Sequence, residues 1–249
     1  MIEIHGLTRR FGATIALDDL SLSVPAGELF CFLGPNGAGK TTTIKILTGL
    51  LRPTSGSASI GGFDIARQPV EAKRLIGYIP DMPFLYDRLT TTEFFEFMGD
   101  LYGVPEADIR RKRDDLFGFF GLDGHHNALV RELSHGLRQR LIYASTFLHK
   151  PAVLFIDEPF IGLDPYTIRL IKDLLVRSAR GGMTIFLTTH ILALAQDVAD
   201  RIGIVSEGRL AALGTLEALQ RTHGGATLED TFLTLTAPPG GEELKHYAI

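Results

Sequence analysis

The chain has 249 residues, 45% hydrophobic and 22% charged, which is ordinary globular composition with enough length to bury a full core. A net charge of −4 argues against a surface built to coat nucleic acid, and no nucleic-acid partner is expected. The single cysteine, Cys31, excludes an internal disulfide framework and a cysteine zinc site; inside its apolar run it reads as a buried structural thiol.

The opening MIEIHGLTRRFG has no long apolar stretch before a small-residue cleavage site, so no secretory signal is expected. Apolar runs such as LFCFLG and AVLFI fall far short of the ~18–20 residues that cross a bilayer. Short β-rich runs alternate with helical patterns, which predicts an α/β fold around a largely parallel sheet. Glu28 to Leu33 reads as a buried strand, followed by a glycine-rich turn and an amphipathic helix from Thr41 to Leu50 with apolar Ile44, Ile46, Leu47 and Leu50.

From about Thr92 to Lys150 the pattern is almost wholly helical. Thr92 is expected to cap a helix whose apolar face carries Phe94, Phe95, Phe97, Met98 and Leu101. The basic run Arg110 to Arg113 adjoins Asp114 and Asp115 and reads as a solvated helix face. Val153 to Ile156, Thr184 to Leu187 and Ile202 to Val205 are further buried-strand candidates. After about Gln220 the pattern is less regular, and APPGGEE reads as a flexible segment. The expected organisation is one domain. Its α/β core spans 1–82 and 152–220, with a helical subdomain at 83–151 and a C-terminal tail at 221–249.

The strongest motif is GPNGAGKT: Gly34, Pro35, Asn36, Gly37, Ala38, Gly39, Lys40 and Thr41, with Thr42 following. It matches G-x-x-x-x-G-K-[ST] between a strand and a helix start, which is the phosphate-loop pattern. Glycines let backbone N–H groups turn inward around a phosphate chain, and the helix N-terminus favours the anion. Lys40 would reach the β- and γ-phosphates of a bound nucleotide, and the Thr41 hydroxyl would bind Mg²⁺; by itself the motif says only that this is a P-loop nucleotide protein. VLFIDEP then describes a strand that delivers Asp157 and Glu158 to a sheet edge. Asp157 would hold Mg²⁺ through water, and Glu158 is placed to act as general base toward the attacking water.

These motifs, with LSHGLRQR from Leu133 to Arg140 about twenty residues before the acid pair, resemble the nucleotide-binding domain of ABC transporters. The resemblance covers nearly the whole chain and implies a RecA-like P-loop core, an inserted helical signature subdomain and a small N-terminal antiparallel β part. It implies that Ser134 and Gly136 contact the γ-phosphate of ATP bound to an opposite subunit. His135 and Leu137 depart from the usual LSGGQ. GLDP resembles the family's D-loop, with Asp164 at the dimer seam; FLTTH ends in His190, which matches the switch histidine. Phe11 matches the aromatic that stacks on adenine.

The Q-loop resemblance, GYIPDMPFLYDRLT, carries Asp81 where the family has glutamine. An ionised Asp accepts hydrogen bonds but donates none, so Asp81 is expected to keep a metal-sensing role with altered coupling or rate. Met82, Pro83, Phe84, Leu85 and Tyr86 correspond to the surface that receives a helix from a membrane subunit in the family. TLEDTFLTLT, Thr227 to Thr236, resembles a tail common in exporter ATPases. The implied protein is an ATPase at the cytoplasmic face of a membrane. Its partners would be an integral-membrane permease and a second ATPase subunit, as homodimer or heterodimer. Two alternatives stay open: a non-transport ATP switch of the same superfamily, and a catalytically weak regulatory subunit, suggested by Asp81.

Overall fold

The computed structural model describes residues 1–82, 84–158, 160, 163–223 and 227–237. Four strands come first: β1 (Ile2–Phe11), β2 (Thr14–Val24), β3 (Leu29–Leu33) and, beyond helix α1 (Lys40–Leu47), β4 (Ser55–Ile60). β5 (Phe63–Asp64), α2 (Pro69–Arg74) and β6 (Ile76–Ile79) lead to three long helices, α3 (Thr91–Leu101), α4 (Glu106–Phe120) and α5 (His135–Leu148). The chain returns through β7 (Val153–Asp157), α6 (Pro165–Arg180), β8 (Thr184–Thr189), α7 (Leu192–Val198), β9 (Arg201–Ser206) and β10 (Arg209–Gly214). It ends in α8 (Leu216–His223) and α9 (Leu228–Thr236).

Two sheets result: a four-stranded antiparallel sheet of order β2-β1-β4-β5, and a six-stranded sheet of order β10-β9-β3-β8-β7-β6 that is parallel except for β10. The expected α/β core and N-terminal antiparallel part are both present, and α3 to α5 are inserted between β6 and β7.

Every residue of β3 is buried, because the strand has a packed layer on each face. Alternation then divides its side chains. Phe30 and Phe32 point into a core with the antiparallel sheet and the Ile44, Ile46 and Leu47 face of α1. Leu29, Cys31 and Leu33 point into a core built with the remaining helices. On the first side Phe30, Phe32 and Phe155 surround Phe186, with ring centroids 5.3, 5.4 and 5.7 Å from it. On the second, α6 buries Thr167, Ile171, Leu175 and Ala179, one residue per turn. Burying a side chain the size of Ile171 or Leu175 stabilises the fold by about 1.5–3 kcal/mol.

Four local expectations differ from the structure. Thr90, not Thr92, caps α3: its hydroxyl accepts from Glu93 N, and the Glu93 carboxylate accepts from Thr90 N at 2.7 Å. This reciprocal box satisfies two orphan donors, and a cap of this kind stabilises a helix by about 1 kcal/mol. α1 closes at Thr48 before the left-handed Gly49, so Leu50 leaves the buried face and stands 63% exposed. Phe97 and Leu101 of α3 are likewise exposed rather than buried. The segment after Gln220 is more regular than its composition suggests: α9 has its own capping box between Thr227 and Asp230 and buries Leu228 and Thr231. APPGGEE beyond Ala237 lies outside the described residues, as do Pro83 and Gly162. The arginines of the α4 basic run are paired, Arg110 with Glu106, Arg111 with Asp108, Arg113 with Glu96 and Asp114, while Lys112 turns inward to donate to the Leu148 carbonyl at 2.9 Å.

A cleft at the strand ends that gathers lysine, acids and histidine

Strand register decides what meets at the sheet edge. β3 pairs with β8 so that Leu33 faces Thr189, and β7 pairs with β8 so that Asp157 faces Thr188. Gly34, Glu158 and His190 each follow immediately on these paired residues and so emerge together at the carboxyl edge of the parallel strands, where such folds place ligands.

The loop from Gly34 to Gly39 is held from both sides. A Cβ on Gly34 would lie 2.5 Å from the Val205 carbonyl oxygen, and one on Gly39 2.6 Å from that of Ala16. Gly39 also adopts φ 106°, a conformation that a side chain rarely tolerates. Gly208 N donates to the Ala38 carbonyl at 3.1 Å, so the β9–β10 turn braces the loop from outside. α1 starts at Lys40 directly after this turn. Lys40 is 6% exposed, and its ammonium donates to the Gly34 and Pro35 carbonyls at 2.7 and 3.1 Å. Burial lowers the Lys40 pKa, and Glu158 and then Asp157 oppose that shift.

Asp157 is 1% exposed and accepts a hydrogen bond from the Thr188 hydroxyl. Glu158 takes φ 48°, left-handed backbone that costs a non-glycine residue about 1–3 kcal/mol and persists only where the surroundings hold it there. They do: Glu158 N donates to the Thr188 carbonyl at 3.1 Å. Its carboxylate lies 3.6 Å from Lys40 Nζ and 3.0 Å from His190 Nδ1. Asn36, Gly37, Gly39, Lys40, Thr41, Thr42, Asp81, Glu158 and His190 thus line one cleft of about 380 Å³, with Ala16 completing it. The Asp81 carboxyl is pushed above its ordinary value by partial burial and then by Asp157 and Glu158, with Lys45 opposing.

The remaining expected site residues lie outside this lining. Gly34, Pro35 and Ala38 belong to the loop without lining the cleft, and Asp157 lines the neighbouring groove instead. Phe11, at the tip of the β1–β2 hairpin, is 47% exposed. Ser134 is the exposed N-cap of α5 and accepts from Leu137 N at 3.3 Å. Gly136 is in the first turn of α5, with no atom within 4 Å of the place a Cβ would take. Asp164 caps α6, accepting from Thr167 N at 3.0 Å, from the Thr167 hydroxyl, and from Arg140 Nη2 at 3.3 Å. These bonds, those to Thr167 above all, hold its carboxyl down at about 2.

Sequence reasoning did not single out Thr188 or Arg140. A hydroxyl in an otherwise apolar strand, FLTT, was a readable sign for the first. Arg140 reaches Asp164 across 24 residues, and no local pattern carries that.

The donors suit Mg²⁺. Among the described residues no three His, Cys, Asp or Glu side chains cluster tightly enough to hold a metal alone. Thr41 and one or two carboxylates would be completed by water and phosphate oxygens, as this hard ion requires.

A family profile described as ABC transporter matches residues 17–161. The chain is 32% identical over 236 residues to the linearmycin resistance ATP-binding protein of Bacillus subtilis (strain 168), which covers 95% of this chain and 75% of that one. It is 38% identical over 227 residues to the daunorubicin/doxorubicin resistance ATP-binding protein of Streptomyces peucetius, covering 91% and 69%. A solved ATP-binding subunit of an ABC transporter superposes with a TM-score of 0.89 at 35% identity, over 94% of this chain and 99% of the other. The two sheets, the phosphate loop and the inserted helices define a P-loop ATPase. The chain belongs to the ABC transporter family, as one of its ATP-hydrolysing cassettes.

Proposed function

We propose that this chain is the ATPase subunit of an exporter, working at the cytoplasmic face of a membrane on a separate permease and paired with a second ATPase subunit. The observation that carries the reading is the convergence of Lys40, Glu158 and His190 on one cleft. Lys40 binds the β- and γ-phosphates once they displace it from the loop carbonyls. Thr41, Asp157 and Asp81 would hold Mg²⁺, which would neutralise phosphate charge when bound. Glu158 accepts a proton from the attacking water, and His190, in contact with the same carboxylate, orients that water and the γ-phosphate. Phe11 stacks on the adenine.

The dimer is supported by what one protomer leaves unused. Ser134 and Gly136 expose a helix N-terminus, suited to an anion, that lines no part of the cleft. Gly136 has no steric reason to be glycine within its own chain, although glycine costs a helix about 1 kcal/mol relative to alanine. Both facts fit a γ-phosphate arriving on a partner's phosphate loop, with Asp164 at the seam.

Coupling to a membrane partner is supported by an apolar groove of about 700 Å³ beside the cleft. Met82, Phe84, Tyr86, Phe97 and Leu101 are exposed along it, and Thr41 and Asp81 line both groove and cleft. A helix seated there would press on the residues that hold the ion. No helix among the described residues is long and apolar enough to cross a membrane. Export is the direction we assign, supported by the resistance functions named for two relatives of the chain. The test is ATP turnover by the purified chain, alone and with a membrane subunit isolated by crosslinking in membranes. Stimulation by that subunit is expected, and failure to recover any membrane protein would overturn the reading.

A further inference from the structure

Beside the site already described lies a feature that no motif marks. Arg9 Cζ sits 4.4 Å from the centroid of the Phe11 ring, with the guanidinium over its face. The two residues are on the same side of β1, two positions apart, as strand alternation dictates. Arg9 is not a loose surface charge. It is half-buried, its Nη1 donates to the Arg52 carbonyl at 2.9 Å, and its Nε is buried without a partner. Arg52 belongs to the turn just after α1, the helix that the phosphate loop opens. Neighbouring bonds tie the same turn to β1: Thr54 N donates to the Thr8 carbonyl at 2.8 Å, and Arg10 N donates to the Thr54 hydroxyl at 3.0 Å.

We propose that Arg9 is a positioning residue for nucleotide binding, backing the Phe11 ring so that its opposite face stacks on the purine and fixing that ring relative to the phosphate loop. The inference rests on the reading of Phe11 as the adenine platform. A cation on one face of an aromatic ring is held by the ring's quadrupole and draws electron density from it, which favours an electron-rich base on the other face. The anchor to Arg52 adds a geometric role. Ring and cradle must stand one nucleotide apart, and Arg9 connects the strand bearing the ring to the turn closing the cradle's helix. Burying Nε without a partner costs stability, which marks the guanidinium's place as set by the ring and the Arg52 carbonyl rather than by its own solvation.

The experiment uses calorimetric titration of the full chain with a non-hydrolysable ATP analogue and, separately, with inorganic tripolyphosphate, which has no base to stack. Arg9→Gln is expected to weaken the analogue about twofold, the lower end of an exposed cation–π contact, because that contact exists without nucleotide and only its coupling to stacking enters the affinity. It should leave tripolyphosphate affinity unchanged and lower the thermal midpoint only by the small amount due to the lost bond to the Arg52 carbonyl. Arg9→Lys, which keeps the cation but not the planar fork, should fall between. In steady state the Arg9→Gln effect should sit in KM with kcat preserved. Unchanged analogue affinity in Arg9→Gln overturns the inference, and so does an equal loss for both ligands, since that would make Arg9 a phosphate ligand or a general support of the fold. Phe11→Ala separates the two readings. If it leaves analogue affinity intact, the adenine platform itself fails; if it weakens binding while Arg9→Gln does not, only the role of Arg9 fails.

Discussion

Lys40 Nζ stands 3.6 Å from Glu158 Oε1, and both side chains are nearly enclosed, 6% and 12% exposed. Each charge is tolerated there because the other answers it; removing one partner of such a pair commonly costs about 3–5 kcal/mol. In Glu158→Gln the general base is lost while the shape stays. ATP turnover is expected to fall by about 10²–10⁴-fold. Nucleotide should still bind and hold two copies together, as read by phosphate release and by light scattering with ATP. Turnover within tenfold of the parent would remove Glu158 from that role.

Gly136→Ala separates the needs of one protomer from those of two. With open space around the added methyl group and better helix propensity, the monomer should unfold at the same or a higher temperature, by up to ~1 kcal/mol. ATP turnover should nevertheless drop ~10-fold or more, equivalent to about 1.4 kcal/mol at the transition state. Loss of stability without loss of rate would contradict a composite site.

The Asp164 carboxyl has a definite acid signature. Its pKa is depressed from the ordinary 3.8 to about 2, so the stabilisation it gives is complete above 3.8 and lost as pH falls through about 2. Asp164→Asn keeps a capping side chain but removes the charge. The difference in unfolding midpoint between parent and variant should therefore close as pH is lowered from about 4 to about 2. A gap that stays constant over that window would show that Arg140 and Thr167 do not favour the ionised form.

At Phe84, 95% exposed, folding and partnership should part company. Phe84→Ser is expected to change unfolding free energy by no more than about 0.5 kcal/mol. Stimulation of turnover by the membrane subunit should be lost. Intact stimulation would move the docking surface elsewhere.

Asp81→Gln replaces an acceptor-only side chain with one that also donates. It removes a negative charge from beside Asp157 and Glu158, so the Mg²⁺ concentration giving half-maximal turnover should rise, roughly tenfold by analogy with changes around metal ligands. An unaltered Mg²⁺ dependence and rate would rule out a metal role for Asp81.

Much of this architecture was legible in the sequence, because the signals that matter were local. GPNGAGKT, VLFID and FLTTH each announce a strand end that bears chemistry, and strand register brings the three together. Errors came where several local signals competed. Three threonines, Thr90 to Thr92, all offered a cap for α3, and the deciding sign was Glu93 three places after Thr90. The same spacing, Thr227 to Asp230, announced α9 in a stretch read as irregular. Gly49 gave the stop signal for α1 that Leu50 obscured. What no pattern gave were pairings across the fold: Arg140 with Asp164, Arg9 with the Arg52 carbonyl, and Glu158 with His190. Such contacts depend on how whole elements are stacked, which periodicity does not encode.

β3 gives alternate side chains to two cores, Phe30 and Phe32 to one and Leu29, Cys31 and Leu33 to the other. The two halves of the molecule therefore share a single wall, and a disturbance of either reaches the strand common to both. A trimmed methylene on either side would register at Gly34, the next residue along, as a change in how firmly the phosphate loop is seated. Rigidity at the mouth of the cleft is in this sense borrowed from both interiors at once.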